Sequence, residues 1–260
     1  MTGTILTKIE RGVATLTLNR PKEMNSFDGG TARAISDAVE TFAADEAVRT
    51  LVVASEGPVF CAGGDFNWVL SWPELDAITR KVGADSLMAA IQAVYDFPKP
   101  SIARVQGAAV GGGVGLMLAC DFAVTVSSAR FGLTSARNGL LAGIAIPVLI
   151  QAVGPRMARQ LLMHGGMFDS ATALRIGLVD QVVEDDALDA TVAALADELR
   201  RGAPSVQTLI KKLVTEIGSM PHDRAVADLI GEHVAVQCTT DEAVEGMSAF
   251  LNKRKPKWAV

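Results

Sequence analysis

The sequence predicts an α/β protein with a helical C-terminal part. Three observations carry that prediction. Short β-branched stretches at residues 49–55, 101–105 and 122–126 alternate with helical stretches, the pattern of parallel ββα or βαβ units with right-handed crossovers. Glycine-rich turns separate strand from helix near residues 60–65 and 107–115. Beyond Pro147 the pattern turns mostly helical, with one short strand at residues 179–183. At 260 residues and 49% hydrophobic, the chain has apolar material for one large domain or a domain with a helical extension. We place the core in residues 1–200 and a helical region in residues 201–260.

The elements follow in order. Residues 4–10 and 13–19 read as two strands joined at Arg11 and Gly12, a hairpin signal. Asp28 is placed to cap a helix running to about Ala44, with Ala32, Ile35, Val39 and Phe42 on one face. The turn Glu56, Gly57, Pro58 closes the strand at 49–55. A loop spans residues 60–65, and a helical stretch runs from about 73 to 95. After the strand at 101–105 come Gly107 and the cluster Gly111, Gly112 and Gly113, then a helix ending near Cys120. Residues 187–201, 205–217, 223–236 and 241–252 read as the helices of the C-terminal part.

Composition narrows the function. A formal net charge of -5 argues against a nucleic-acid surface. The basic run at residues 253–257 reads on its own as a solvated terminus. No signal-peptide pattern is present. The most apolar stretch, residues 105–126, contains five glycines and Asp121, so no membrane insertion is expected. A cytoplasmic protein is the expectation. Cys61, Cys120 and Cys238 form no C-x-x-C pair, and His164, His222 and His233 are scattered. We therefore expect no disulfide framework and no metal site.

Two segments stand out chemically, 59–66 and 105–121. The glycine cluster fails the dinucleotide pattern G-x-G-x-x-G and lacks the lysine of a phosphate-binding loop. It can be a tight strand-to-helix turn and nothing more. Two such loops facing each other offer something else. Each exposes a backbone N–H, and two donors on one oxygen make an oxyanion hole.

At this point the sequence resembles the enoyl-CoA hydratase/isomerase, or crotonase, superfamily. The likeness covers nearly the whole chain. It begins at residues 18–27 (LNRPKEMNSF) and continues through 60–65 (FCAGGD) and Gly107 to Asp121. It returns at Arg130, Phe131, Gly132, at 173–180 (ALRIGLVD) and at 250–256 (FLNKRKP). The resemblance implies a spiral of ββα turns, with residues 201–260 a trimerisation region, and a homo-trimer or hexamer. It implies an acyl-CoA thioester of fatty-acid metabolism as partner, no resident cofactor, and coenzyme A present only as part of the substrate. It makes Gly64 and Gly112 the oxyanion donors. Lys22, Glu23 and Met24 would lie along the nucleotide end of CoA. Ala62, Asp65 and Phe66 would flank the pantetheine, and Lys253 would approach the phosphates, across a subunit interface.

The chain also departs from the family. The resemblance puts one hydratase glutamate at Gly115 and the other at Ser135. Glycine has no side chain, and a serine hydroxyl needs a partner base to ionise usefully. General acid–base catalysis contributes about 10²–10⁴-fold, so standard hydratase activity is expected to be weak or absent. Asp65, Glu74, Asp76 and Asp85 are the acids left nearby. Asp65 reads as a loop-holding residue and the others as solvated helix residues. Cys61 reads as a buried small residue and Arg137 as a surface ion pair. Three functions stay open: an acyl-CoA enzyme that stabilises a thioester enolate, a non-catalytic acyl-CoA-binding or delivery protein, and a thioester hydrolase or C–C bond lyase of the same fold.

Overall fold

The computed structural model describes residues 3–259. The chain opens with the hairpin β1 (Ile5–Glu10) and β2 (Val13–Leu18), then α1 (Gly29–Ala44). Arg11 and Gly12 take positive φ at the hairpin tip. Asp28 caps α1 by accepting the Thr31 N–H at 2.8 Å. Next come β3 (Thr50–Ser55), β4 (Val59–Cys61), α2 (Phe66–Leu70) and α3 (Ala77–Tyr95). The following unit is β5 (Ser101–Val105), β6 (Ala108–Val110) and α4 (Gly112–Leu118). The third is β7 (Phe122–Val126), β8 (Arg130–Gly132) and α5 (Ile146–His164), the helix broken at Gly154 and Pro155. Then follow β9 (Met167–Asp169), α6 (Ser170–Arg175), β10 (Gln181–Val183) and α7 (Leu188–Leu199). The chain ends with α8 (Pro204–Ile217), α9 (Arg224–Gln237) and α10 (Asp241–Leu251).

After the β1–β2 hairpin, the pairs β3/β4, β5/β6 and β7/β8 divide between two sheets. One sheet runs β1-β2-β3-β5-β7-β10 and the other β4-β6-β8-β9. Only the outer pairs β1–β2 and β8–β9 are antiparallel. So each turn of the chain adds one strand to each sheet, which is the ββα spiral expected. Between and around the sheets lie Leu16, Phe27, Ile35, Leu51, Ile102 and Leu116, all fully buried. β3 is buried along its whole length, the signature of a parallel strand covered on both faces.

The structure corrects several boundaries. β4 occupies the start of what the sequence reads as a loop, and β6, β8 and β9 were not expected. Each is three residues long, too short for periodicity to register. The single helix expected over 73–95 is a 3₁₀ turn at Trp72–Glu74 followed by α3, and α2 before it was not expected. The last strand is Gln181–Val183 and not 179–183. Among the described residues no helix is long and apolar enough to cross a membrane.

Candidate active site

β4 and β6 lie side by side and parallel, Val59 opposite Ala108 and Cys61 opposite Ala109. Their carboxyl ends therefore deliver residues 62–65 and 111–113 to one place. Three glycines let the two segments touch backbone to backbone. Gly63 has φ +89°, and a Cβ there would sit 2.7 Å from the Gly112 nitrogen and 2.8 Å from the Val110 oxygen. A Cβ on Gly113 would run into the Cys61 carbonyl. Gly111, at φ 54°, turns the chain into α4 while its N–H donates to the Gly132 oxygen at 2.8 Å.

A second segment fixes the other side of the loop. Phe27 N–H donates to the Gly63 oxygen at 2.9 Å and Phe27 oxygen accepts the Asp65 N–H at 3.1 Å. In this bridge the Gly64 N–H, between those two bonds, faces the opposite way. Gly112 is the first residue of α4, where N–H groups have no helical partner. Among the described residues neither the Gly64 nor the Gly112 N–H donates a hydrogen bond.

Arg20 ties residues 20–27 to the glycine loop. Its guanidinium meets Asp65 Oδ2 at 2.9 Å and the Ser26 oxygen at 2.8 Å. Asp65 also accepts the N–H groups of Asn67 and Trp68, capping α2. Its carboxylate is thus fully engaged in structure. Asn25 donates from Nδ2 to the Glu56 and Val59 oxygens, both at 2.7 Å. Ala62 N–H donates to the Met24 oxygen at 3.0 Å. So Met24 lies beside Ala62 and Arg20 beside Asp65, with Lys22 and Glu23 on the turn just before Met24. Lys22, Glu23, Met24 and Phe66 are exposed and Ala62 is half-buried. Arg20 and Asn25 are site-building residues that sequence reasoning missed; both stood in the quoted run 18–27, with no sign of their partners forty residues on.

Lys253 is not brought to this cluster. It is exposed, at φ 52°, just past α10. The basic run around it is no loose terminus. Arg254 forms a two-pronged pair with Glu245 at 2.6 and 2.9 Å, and Lys257 N–H adds a third bond to Glu245 at 3.0 Å. The Arg254 bonds hold the Glu245 carboxyl down at about 2, against some loss of solvent. The solvated-terminus reading is corrected accordingly.

The surroundings of the two free N–H groups are apolar. A Cβ on Gly112 would lie 2.6 Å from Ile144 Cδ1 and 3.3 Å from Phe27 Cζ, and one on Gly64 would lie 3.9 Å from Leu87 Cδ1. At Gly115 a Cβ would meet the Ala145 Cα and Cβ at 3.1 and 3.2 Å. Ser135 stands on the other side: its Oγ is 3.7 Å from where a Gly111 Cβ would be. Cys61 is fully buried, donating its S–H to the Asn25 oxygen and accepting the Gly63 N–H. Burial pushes this thiol up to about 12, so it is a packing residue and no nucleophile. Asp76 caps α3 through the Ile78 and Thr79 N–H groups, and Asp85 pairs with Lys81. Arg137 donates from Nε to the His164 oxygen at the end of α5, a helix-capping contact in place of the surface ion pair expected.

The model of the enoyl-CoA hydratase/isomerase family matches residues 8–260. The chain belongs to that family. A crotonyl-CoA hydratase of Syntrophomonas wolfei is 35% identical, with 96% of each chain covered. A trans-2-decenoyl-[acyl-carrier-protein] isomerase of Streptococcus mutans is 30% identical over 98% of this chain and 97% of its own. Among solved structures, an enoyl-CoA hydratase from Shewanella pealeana superposes with a TM-score of 0.94 at 30% identity, covering 98% of this chain and 96% of that one. The ββα spiral described above is therefore the family's fold, and hydratases and isomerases both occur among its relatives.

Proposed function

We propose that this protein binds an acyl-CoA thioester and holds the thioester oxygen on the N–H groups of Gly64 and Gly112, stabilising an enolate there. The observation that supports this reading is the pair of unbonded N–H groups on loops held backbone to backbone. Charge that develops on the oxygen meets two fixed donors in apolar surroundings, where such donors are worth most. Lys22, Glu23 and Met24 would lie along the nucleotide, with Ala62, Asp65 and Phe66 along the pantetheine. Asp65 acts there through the loop it braces, since its carboxylate is already paired. Lys253 would serve a neighbouring subunit of a trimer or hexamer.

Standard hydration is not part of the proposal. Ile144, Phe27, Leu87 and Ala145, the side chains nearest Gly64, Gly112 and Gly115, carry no titratable group. The same apolar surroundings also suit the second reading, a non-catalytic acyl-CoA carrier, because binding a carbonyl and stabilising an enolate use the same donors.

Removing one donor tests the reading. Proline is tolerated at the first residue of a helix and lacks the N–H. At residue 112 its ring would strike Ile144, so the variant needs Ile144→Ala beside it. Calorimetry is expected to show crotonyl-CoA binding by the native chain and by Ile144→Ala. In Gly112→Pro/Ile144→Ala binding is expected to weaken at least about tenfold, the worth of one hydrogen bond. Equal affinities would remove the N–H pair from the reading. Hydration of crotonyl-CoA at about 10 s⁻¹, a median enzyme turnover, would overturn the expectation of a poor hydratase.

A further inference from the structure

The sheet end away from these loops carries arginines that the proposed function does not use. Arg11 precedes β2 and Arg49 precedes β3, and the first residues of these strands, Val13 and Thr50, are paired. Arg200 reaches the same place from the end of α7. Its Nη1 donates to the Arg11 oxygen and its Nη2 meets Asp197 at 2.8 Å. Arg49 Nη2 donates to the Gly202 oxygen at 2.8 Å. Trp258 closes the group, its indole N–H on the Arg201 oxygen at 3.1 Å. Together Arg11, Arg49, Arg200 and Trp258 line a cavity of about 520 Å³.

The charges around this cavity are only partly paired: Asp197 takes Arg200, while Arg11 and Arg49 are left. A neighbouring cavity shares Arg11 and Arg200, and the acids lining it are committed: Glu10 to Lys8, Asp189 to Arg104 and Asp197 to Arg200. Glu242, the carboxylate that Arg49 feels, is held by hydrogen bonds from Ser205 and keeps its charge, more than 4.0 Å from the Arg49 nitrogens. Among the described residues neither Arg11 nor Arg49 forms an ion pair within 4.0 Å, and the Arg200 Nε is buried without a partner. Burial pulls the Arg49 guanidinium below its usual value; Glu242 opposes this and Arg200 adds to it.

We propose that this cavity binds the phosphate group of a small molecule, at a site separate from the acyl-CoA loops. A phosphate offers several acceptors to forked guanidinium donors and would give Arg11 and Arg49 an anionic partner within ion-pair distance. The Trp258 ring beside them offers a face for an aromatic base. The site lies at the start of β2, and residues 20–24 follow its end, about 17 Å away along a six-residue strand.

The test is calorimetry on the full chain at low salt with inorganic phosphate and with adenosine monophosphate. The native chain is expected to bind at least one of them saturably. Arg11→Gln, a change at an exposed hairpin tip that keeps the Arg11 carbonyl bond, is expected to weaken that binding at least tenfold and to leave crotonyl-CoA affinity unchanged. Tighter binding of the nucleotide, with quenching of tryptophan fluorescence that Trp258→Phe removes, assigns the phosphate to a nucleotide. Equal affinities assign it to the free ion. No saturable binding, or equal binding by native and Arg11→Gln chains, overturns the proposal.

Discussion

Gly63 sits where backbone contact leaves no room for a side chain. Its φ is positive and its missing Cβ faces the Gly112 nitrogen and Val110 oxygen, neither of which can rotate away. Gly63→Ala is expected to cost about 2–3 kcal/mol of stability and to abolish acyl-CoA binding; urea denaturation and calorimetry measure the two. Gly115 and Ser135 behave differently, although the family resemblance treats both as vacant glutamate positions. The space a Gly115 side chain would need is taken by buried Ala145. Gly115→Glu is therefore expected to overpack the site, at about 1–3 kcal/mol, without gain of hydration. Ser135 is half-buried, so Ser135→Glu is the variant expected to keep native stability and acquire measurable crotonyl-CoA hydration. The cysteines differ in the same residue-by-residue way. Burial raises the thiols of Cys61 and Cys120, while Cys238 is exposed. A thiol reagent at pH 8 is expected to modify Cys238 alone in the native chain and all three after denaturation.

At the scale of elements, the glycine loop depends on the Arg20–Asp65 pair, which joins the end of β2 to the start of α2. Both side chains are mostly shielded, 18% and 10% exposed. Asp65→Ala removes a helix cap and leaves the guanidinium short of a partner. It is expected to cost about 2–3 kcal/mol and to loosen acyl-CoA binding, both read by denaturation and titration. In the sequence Asp65 was read only as holding its loop, since the five-residue α2 it caps was not expected. The Asp28 cap was legible, because capping is a local act between residues two or three apart. Strands of five or six residues were legible for the same reason. β4, β6 and β8 were not, since three residues carry no period; they exist because neighbouring turns of the spiral stack them. The site shows the same division. The glycines were visible as a pattern, but that Gly63 touches Gly112, and that Ala145 fills the place beside Gly115, are facts of packing between segments far apart in sequence.

Across the whole molecule, the C-terminal helices stand out as long helices that bury little within the chain. α8 has no buried residue, and α9 and α10 have one each, Val226 and Ala249. Ile210 and Val214, four residues apart on one face of α8, are 55% and 63% exposed, and Phe250 on α10 is 82% exposed. What fixes the end of α10 is polar: Arg254 and Lys257 on Glu245. Because the folded Glu245 carboxyl lies near 2, below its ordinary 4.5, this clasp contributes fully above about pH 4.5 and is lost as pH falls through about 2. The apolar residues stay more than half exposed within the chain, although Ile210 and Val214 border a cavity with Tyr95, Phe122 and Leu199. Side chains of this size are normally covered, and each is worth about 1.5–3 kcal/mol when buried. A trimer would cover them with other copies of the chain. Sedimentation is expected to show an assembly of three or six chains that Ile210→Glu/Val214→Glu breaks down to a folded monomer, since both side chains are more than half exposed within their own chain. A native monomer at micromolar concentration would instead mean that these helices face solvent, and would leave Lys253 with no neighbouring site to reach.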